Sequence, residues 1–561
     1  MRDRTRSLTP AVGSSPVEVA FYGGLGEIGC NMASVEVDGR IALLDVGLSF
    51  PDAQHYGIDL ILPDWARLRS RADDLHCVVV THGHEDHMGA LPFLLREFPY
   101  VPVYGSRLTL GLISSKLEEH PDVSADLREV EAGERITTGP FDIEFVAVTH
   151  SIPDGLAVAF HTPHGTIFHS GDFKLDQTPI DGRVTDLPHV AALGDDGVAL
   201  LLCDSTNADV PGYVPTERRV GVTLRDVFSE ARGQIVVTTF SSHVHRVQQT
   251  IDAALEVGRK FCFVGRSMQR TMPIARSLGH LHYSDDDLID MCEVERMPRE
   301  ATVIICTGSQ GEPYAALSLM ATGQHKQVKL SPGDTVVMAS SVIPGNEAAI
   351  YRSINGLCRQ GANVVHKGVA PVHVSGHATA EELKLFHNIV RAAAFVPVHG
   401  EYRHLVTHAR LAIETGTSPE QVFVCEDGDT VVLERGVVRR GTSFQPGRVF
   451  VDGLGVGDVG NAVLRHREKL SSEGICVAVV VLDQHARIVG EPEVVQQGII
   501  YEVEQAALLD LATKTLADEL RLQEGDNDPA LVRRTISITL GRFWRDQVGR
   551  RPVILPLLVE V

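Results

Sequence analysis

Apolar residues in the first 205 positions follow the pattern of short strands. Runs of Val, Ile, Leu and Phe bounded by Gly, Pro, Asn or Asp are typical of buried or half-buried strands. They predict strands at 17–22, 32–37, 40–45, 75–80, 101–104, 142–150, 166–172 and 200–204. A helical spacing follows the fourth run, at 92–98. This part of the chain is therefore predicted to be a strand-rich α/β domain.

A glycine-rich turn separates the first two strands, at 23–29. Such a turn after a strand is also found in dinucleotide-binding folds, where a helix follows it. Here a second strand follows instead. The turn is therefore not interpreted as a dinucleotide site.

Strands and helices alternate from residue 206 to residue 365. Apolar runs predict strands at 234–240, 260–264, 301–306 and 334–339, with helical segments such as 246–257 between them. Alternation of this kind is typical of a parallel sheet. We predict a separate α/β domain that is inserted into the first.

The two ends of the chain have other patterns. Residues 1–16 contain three arginines among Ser, Thr and Pro without periodicity, which predicts a disordered basic tail. The glycine-rich stretch 451–457 lies within a predicted linker, 447–465. Beyond it we predict strands at 475–482 and 552–561 and helices at 501–523 and 529–548. These elements form a small α+β domain.

Composition narrows the class of protein. A chain of 561 residues is long enough for about two to four domains. No apolar run approaches the roughly 20 residues of a membrane-spanning helix, and no secretory signal is visible. We therefore expect a cytoplasmic protein without a membrane segment. Nine cysteines without a C-x-x-C pair argue against a disulfide framework and against a cysteine-rich zinc site.

Charge is distributed unevenly along the chain. The net charge of −22 argues against a polyanionic partner, because phosphate backbones are bound by clustered cations. Residues 206–365, however, carry 16 Lys+Arg and 16 Asp+Glu. Basic residues in this segment are Arg218, Arg219, Arg246, Arg266 and Arg270. The balanced charge of the inserted domain therefore permits nucleic-acid binding.

A cluster of metal-ligand residues follows the strand at 75–80. It contains His82, His84, Asp86 and His87. Imidazole and carboxylate are the usual ligands of zinc and related ions. His82 and His84 are placed to bind one ion, and Asp86 and His87 a second. Asp45, at the end of an earlier strand, can orient a histidine ligand, and a simple turn aspartate is the alternative.

Further histidines and aspartates end predicted strands. His150 and Asp172 close the strands at 142–150 and 166–172, and a carboxylate such as Asp172 can bridge two ions. His373, His377 and His399 lie at or just beyond β-branched runs. Buried histidines bonded to the backbone are the plain alternative for each alone. Their recurrence favours a two-metal hydrolase.

Together these motifs resemble the metallo-β-lactamase superfamily. His82, His84, Asp86 and His87 match its signature loop, and His150 and Asp172 match its later ligands. Asp204, His377 and His399 match the three motifs of its β-CASP nuclease branch. The segments 239–246, 265–268, 307–313 and 340–347 resemble bacterial ribonuclease J, and that similarity extends from about residue 17 to the C-terminus.

The resemblance implies a fold and a domain order. The fold is an αβ/βα sandwich with an inserted α/β β-CASP domain and a small α+β C-terminal domain. The implied boundaries are 1–16 for the tail, 17–205 and 366–446 for the metallo-β-lactamase domain, 206–365 for the β-CASP domain, 447–465 for the linker and 466–561 for the C-terminal domain. The last of these is expected to support a homodimer or a dimer of dimers.

The resemblance also implies an activity. The implied activity is that of a 5′-to-3′ exoribonuclease that prefers 5′-monophosphorylated ends, has additional endonuclease activity, and acts in mRNA decay and rRNA maturation. The expected partner is single-stranded RNA, together with other RNA-decay proteins or the ribosome.

Roles for single residues follow from the same resemblance. His82, His84, His150 and Asp172 are expected to bind one zinc ion, and Asp86, His87, Asp172 and His399 the other. His377, Asp86 and Asp204 are expected to be catalytic. The expected RNA contacts are Ser241, Ser242, His243, His373, Val374, Ser375, Gly376 and His377. Gly57, Asp59 and Asp452 are candidates for a further divalent cation, calcium, magnesium or manganese.

Three alternatives stay open at the level of sequence. A DNA-directed β-CASP nuclease is the nearest, because discrimination depends on contacts with the 2′-hydroxyl. A small-molecule hydrolase of the same superfamily is disfavoured by the inserted domain. A non-catalytic RNA-processing subunit is disfavoured because every ligand position is filled.

Overall fold

The computed structural model describes residues 15–52, 54–312, 315–341, 346–485, 487–500, 505–522 and 528–561. Most of the predicted basic tail, the start of the predicted helix at 501–523, and parts of the segments 307–313 and 340–347 lie outside these residues. The chain divides into two compact units. One comprises residues 1–50 and 61–449, and the other comprises residues 51–60 and 450–561.

The first unit contains an eight-stranded sheet, which we call sheet I. Its strands lie in the order Val437–Arg440, Thr430–Glu434, Val17–Gly23, Met32–Val37, Arg40–Leu44, Leu75–Val79, Pro102–Gly105 and Asp126–Glu129. The first five are antiparallel neighbours, and the last four are parallel neighbours. Helices Leu91–Glu97 and Arg107–Leu117 contact each other, and the second contacts strand Pro102–Gly105.

Sheet II has six strands. Their order is Ala394–Val398, Val198–Asp204, Gly165–His169, Leu156–Thr162, Phe141–Ala147 and Arg135–Thr138. The first three strands are parallel and the rest are antiparallel. Strand Ala394–Val398 comes from a segment almost 200 residues after its neighbour Val198–Asp204, so the chain returns to this sheet after the insertion.

Sheets I and II pack face to face in one apolar core. Phe21, Leu44 and Val79 of sheet I and Phe160 and Leu200 of sheet II belong to the same buried cluster. The other face of sheet II is covered by helices Leu187–Asp196, Ala380–Val390 and Tyr402–Glu414. The predicted αβ/βα sandwich is confirmed.

The inserted segment forms a parallel sheet of its own, sheet III. Its strands lie in the order Lys260–Val264, Thr302–Cys306, Ile235–Thr238, Thr335–Met338 and Asn363–His366. Their continuous apolar sequences suit burial on both faces. One face packs on helices Arg218–Glu230, Val244–Glu256 and Arg266–Ser277. The other packs on helices Met291–Arg296, Ala316–Ala321 and Glu347–Arg359.

The second unit is a small α+β structure. Strands Glu493–Gln497, Ile475–Leu482 and Val553–Glu560 form its sheet, and helices Asn461–Glu473, Gln505–Arg521 and Pro529–Val548 complete it. Every second residue of the central strand, including Cys476 and Val480, is buried on the side of the last two helices. The strand is apolar at every position, and this unbroken apolar run is what made it visible in the sequence.

The predicted linker at 447–465 differs from the structure. Strands Arg448–Asp452 and Gly455–Val456 pair across a turn in which Gly453 has φ of +57°, and helix Asn461–Glu473 begins soon afterwards. Glycine serves here to form a tight turn and not a flexible connection.

None of the helices in the described part of the chain combines the length and apolar character of a membrane span.

Candidate metal centre

The histidine cluster lies where strand Leu75–Val79 leaves sheet I. His82 is in an extended loop, His84 precedes the short helix Glu85–Met88, and Asp86 and His87 lie in that helix. Gly47 allows the loop to approach closely, because a Cβ atom at this position would lie 1.6 Å from the Asp86 carbonyl oxygen. The loop is thus held by backbone packing as well as by its side chains.

One set of ligand atoms comes from His82, His84, His150 and Asp172. The His84 Nδ1 atom lies 3.0 Å from His82 Nε2 and 3.2 Å from His150 Nε2. The Asp172 Oδ2 atom lies 3.7 Å from His82 Nε2 and 3.9 Å from His150 Nε2. His150 Nδ1 lies 2.8 Å from the Gly376 carbonyl oxygen, which can only accept, so Nε2 carries the lone pair.

A second set comes from Asp86, His87, Asp172 and His399. His87 Nε2 lies 3.2 Å from Asp172 Oδ2 and 3.7 Å from Asp86 Oδ2. His399 Nε2 lies 3.3 Å from Asp86 Oδ2. On its other side, the His87 ring is 2.8 Å from Asp45 Oδ2, which is the contact expected of that carboxylate. Asp172 belongs to both sets.

These residues fit two metal ions that share Asp172. The ligand atoms of each set lie within 4.8 Å of one another. Four ligands at about 2.0–2.2 Å from a tetrahedral ion are roughly 3.4 Å apart, close to the observed separations. Ring nitrogens of His82, His84 and His150 lie close together without an acceptor among them, an arrangement that a cation stabilises.

Burial keeps the first set of histidines neutral. It lowers the pKa of His84 to about 4 and also lowers the pKa values of His82 and His150. Imidazoles must be neutral to bind a metal, so these three are available as ligands at neutral pH.

The second set is different. Burial opposes protonation of His399, but Asp172, Asp204 and Asp86 raise its pKa to about 10. The pKa of His87 is also raised, because Asp172, Asp86 and Asp45 outweigh burial. A metal ion in this set therefore displaces protons from its histidines.

Asp204 and His377 form a pair beside the two sets. Asp204 ends strand Val198–Asp204, and its Oδ2 lies 2.8 Å from His377 Nδ1. Burial opposes protonation of His377, but Asp204 and Asp172 raise its pKa. The His377 side chain is 20% exposed, whereas that of Asp204 is 2% exposed, so the histidine is the member of the pair that reaches solvent.

The expected RNA contacts lie in two loops. Ser241, Ser242 and His243 follow strand Ile235–Thr238 of sheet III, where the two serines are half-buried and His243 is buried. The loop 373–377 includes Gly376, whose carbonyl oxygen contacts the ligand His150. The second loop is thus tied directly to the metal ligands.

Arg246, in the helix that follows the first loop, contacts the second loop. Arg246 is fully buried and donates to both Glu217 carboxylate oxygens, at 2.9 and 2.8 Å. Its Nη1 also lies 2.6 Å from His373 Nδ1. Both ring nitrogens of His243 lack a hydrogen-bond partner in the described chain. The charge of Arg246 is paired with Glu217 and does not contribute to a basic surface.

Other predicted basic residues are also paired. Arg218 donates to the Thr178 and Pro179 carbonyl oxygens, and Arg270 forms an ion pair with Glu119. Sequence shows the charges in this segment but not which of them reach solvent.

The candidate site for a further cation lies in the second unit. The Asp59 Oδ2 atom accepts a hydrogen bond from the Gly453 N–H at 2.8 Å, and Asp452 pairs with Arg467 at 2.5 Å. Arg467 also donates to the Tyr56 carbonyl oxygen, next to Gly57. A divalent cation shared by Gly57, Asp59 and Asp452 would have to displace this guanidinium, and the site stays a prediction.

Two residues of the centre were missed by sequence reasoning. Asn31 donates to the Asp86 carbonyl oxygen at 3.0 Å, and Thr206 contacts both Asp204 and His399. Thr206 stands two positions after Asp204, so the strand end that marked the acid also marked the threonine. Asn31 has no comparable signal, because it follows a turn far from the cluster in sequence.

Two sets of buried histidines and aspartates at the edge of an αβ/βα sandwich define a metal-dependent hydrolase of the metallo-β-lactamase class. Family models agree with this class: residues 43–190 match the beta-lactamase superfamily domain and residues 361–425 match the Zn-dependent metallo-hydrolase RNA specificity domain. Residues 232–357 match the ribonuclease J beta-CASP domain, and residues 462–561 match the ribonuclease J C-terminal domain.

Similar proteins extend the match to nearly the whole chain. Ribonuclease J of Mycolicibacterium smegmatis is 44% identical over 98% of this chain and 99% of its own length. Ribonuclease J2 of Bacillus subtilis is 38% identical over 97% and 99%, and ribonuclease J of Thermus thermophilus is 40% identical over 97% and 95%. The chain belongs to the ribonuclease J family.

A solved structure shares the fold. A protein of unknown function from Enterococcus faecalis covers 75% of this chain and 100% of its own, with a TM-score of 0.52 and 16% identity. At that identity the likeness concerns architecture alone.

Proposed function

We propose that this protein is a zinc-dependent ribonuclease that hydrolyses RNA from the 5′ end and prefers a 5′-monophosphate, with additional internal cleavage. Its role would be in mRNA decay and rRNA maturation, and hence in the cytoplasm. The observation that carries the proposal is the pair of ligand sets sharing Asp172 beside Asp204 and His377. Family membership over the whole chain supports RNA as the substrate.

Two zinc ions would occupy the two ligand sets. His82, His84, His150 and Asp172 would hold one, and Asp86, His87, Asp172 and His399 the other. Bound there, the ions would supply Lewis acidity toward a phosphoryl oxygen and toward the attacking water. The buried acceptors Asp45 and Gly376 orient two of these histidines so that their free nitrogens face the ions.

His377 is placed to handle a proton. Its Nδ1 is held by Asp204, which leaves Nε2 for the leaving oxygen of the scissile phosphate. Asp204 and Asp172 raise the pKa of His377 against the effect of burial, which favours the protonated ring that a general acid requires. Asp204 acts on the reaction through His377, whereas Asp86 acts as a metal ligand.

RNA would lie along the loops 241–243 and 373–377. Hydroxyl and backbone N–H groups in these loops are suited to phosphate oxygens, which hold the chain without reading its sequence. Ser241 and Ser242 are half-buried and therefore reachable, and Ser375 is bonded to Asn207 at 2.7 Å. Recognition without sequence readout suits an enzyme that degrades many transcripts.

The domain order is also proposed. The family matches support a metallo-β-lactamase domain in two parts, 17–205 and 366–446, around a β-CASP domain at 206–365, with a C-terminal domain at 466–561. Contacts with the ribosome or with other RNA-decay proteins would be added to this framework.

A homodimer would form through the C-terminal domain. One face of its sheet carries Val477, Val479, Val481, Val495, Leu555, Leu557 and Val559, which are aligned by the strand register. Four of them are 42–49% exposed, namely Val495, Leu555, Leu557 and Val559. An exposed aliphatic face of this extent is typical of an interaction surface, and a second copy would cover it.

The direct test compares three substrates of equal sequence: 5′-monophosphorylated RNA, 5′-triphosphorylated RNA and single-stranded DNA. We expect mononucleotide release that is fastest from the monophosphorylated RNA. His84→Ala removes a ligand and is expected to abolish release. The matched control is His466→Ala, which alters an exposed histidine of helix Asn461–Glu473. Cleavage of DNA alone would refute the choice of substrate, and full activity in His84→Ala would refute the metal set.

A further inference from the structure

The segment 204–207 links several parts of the centre. The Ser205 N–H donates to the His399 carbonyl oxygen at 3.2 Å. Asn207 Nδ2 donates to Ser375 Oγ at 2.7 Å and to the His377 carbonyl oxygen at 3.1 Å. Between them, the Thr206 hydroxyl lies 2.8 Å from Asp204 Oδ1 and 2.6 Å from His399 Nδ1. The Thr206 hydroxyl therefore bridges an acid and a candidate metal ligand.

The direction of these hydrogen bonds follows from their chemistry. An ionised carboxylate only accepts, so the single proton of the Thr206 hydroxyl is donated to Asp204. The hydroxyl oxygen can then only accept from the His399 ring. The proton of His399 consequently lies on Nδ1, and the lone pair of its neutral form lies on Nε2.

That tautomer is the one a metal ion needs here. His399 Nε2 lies 3.3 Å from Asp86 Oδ2, on the side of the second ligand set. His399 also has φ of +54°, a backbone conformation that few non-glycine residues adopt, so neighbouring contacts must hold it. Of the hydrogen bonds made by the His399 ring, the one with the Thr206 hydroxyl is the shortest.

We propose that Thr206 is a positioning residue for the second metal ion: its hydroxyl fixes the tautomer and the orientation of His399. The same hydroxyl couples His399 to Asp204, and Asp204 in turn holds His377 at 2.8 Å. One hydrogen-bonded chain thus connects a ligand of the second ion with the candidate general acid. The inference rests on the proposed two-metal function.

The first ligand set is held by other residues. His150 is oriented by the Gly376 carbonyl oxygen, and His82 lies 3.0 Å from the Thr81 hydroxyl. Within the second set, His87 is oriented by Asp45. Loss of the Thr206 hydroxyl should therefore weaken the binding of the second ion and leave the binding of the first unchanged.

The experiment compares the full-length wild type with Thr206→Val, Thr206→Ser and Thr162→Val. Valine keeps the shape of threonine without its hydroxyl, and serine keeps the hydroxyl without the methyl group. Thr162 is the matched control, because its part-buried hydroxyl also has two hydrogen bonds, at the hairpin turn of sheet II. Metal-free proteins are titrated with Zn²⁺ in competition with a chromophoric chelator. RNA cleavage and thermal unfolding are recorded on the same samples.

We expect the wild type to bind two zinc ions, and Thr206→Val to bind the first normally and the second about 10–100-fold more weakly. Thr206→Ser should restore the second ion, and Thr162→Val should bind both. Equal binding of both ions by Thr206→Val, equal weakening of both, or failure of serine to rescue would each overturn the inference. A wild type that binds two ions without cleaving RNA would refute the proposed function and leave the role of Thr206 standing.

Discussion

Asp172 is contacted by histidines of both ligand sets. It is buried, and its two oxygens lie within 3.2 to 3.9 Å of ring nitrogens of His82, His87, His150 and His399. Burial alone would raise its pKa, but His399 and His87 lower it well below the ordinary range. In the metal-free protein, imidazolium groups therefore balance the buried carboxylates, and metal ions would replace that charge.

At the same scale, Glu27 supplies a prediction about pH. Burial and the nearby Asp427 raise its pKa to about 7, although Arg448 forms an ion pair with it. Its ordinary value is 4.5, so between these values the folded protein binds a proton that the unfolded chain does not. The resulting stabilisation is complete below this window and is lost as the pH rises through it.

Glu27→Gln should remove this contribution. The unfolding free energy of the wild type minus that of the variant should decrease from about pH 5 to about pH 8, when measured by urea denaturation. The exposed Glu118→Gln is the control and should show no such trend. A constant difference for Glu27→Gln would mean that Glu27 is ionised throughout.

Sequence pointed to the candidate ligands more directly than to the residues around them. His82, His84, Asp86 and His87 were visible because metal-ligand residue types follow a strand at close spacing. Their hydrogen-bond partners come from distant segments, such as Gly376 for His150, and no local pattern indicates such pairs. The burial of Arg246 with Glu217 was hidden for the same reason.

At the scale of elements, the main difference concerns where strands end. Strand Phe141–Ala147 stops before His150, and strand Gly165–His169 stops before Asp172, although the predictions included both residues. Val148 continues the apolar pattern past the first strand, but Thr149 and Lys174 pair only through an isolated bridge. The ligands thus stand on loops just beyond the sheet, where their side chains can converge.

The approach of the metal loop to Gly47 gives a second prediction. An alanine Cβ would overlap the Asp86 carbonyl oxygen, so Gly47→Ala must move the loop that carries Asp86 and His87. We expect a loss of about 3 kcal/mol in unfolding free energy and loss of zinc from the second ligand set. Metal analysis after gel filtration and denaturant unfolding measure both effects.

Gly541→Ala is the control for that variant. Its Cβ meets open space within helix Pro529–Val548, and the change should stabilise the helix by up to about 1 kcal/mol. Gly47→Ala with wild-type zinc content would show that the loop tolerates displacement, contrary to this account.

At the scale of the whole molecule, the exposed face of the C-terminal sheet predicts self-association. Leu555→Asp combined with Leu557→Asp places two charges on that face and should convert the proposed dimer to a monomer, as measured by light scattering. Val437→Asp alters an aliphatic residue of sheet I that is even more exposed, and it should leave the proposed dimer intact. A dimer that survives the double substitution would exclude this face.

The individual strands and helices were more predictable from sequence than the pairing of strands from distant segments. Continuous apolar strands between amphipathic helices specified the parallel sheet III, and an unbroken apolar run specified strand Ile475–Leu482. The return of strand Ala394–Val398 to sheet II joins segments far apart in sequence, and this pairing was accessible only through the resemblance to a known family.

The central claim is that RNA hydrolysis depends on two metal ions held by the sets that share Asp172. Its most direct test is to titrate metal-free protein with Zn²⁺ while measuring mononucleotide release from 5′-monophosphorylated RNA. The account predicts no release without metal and a rise that saturates at two zinc ions per chain. Release by the metal-free protein, or saturation at a single ion, would contradict it.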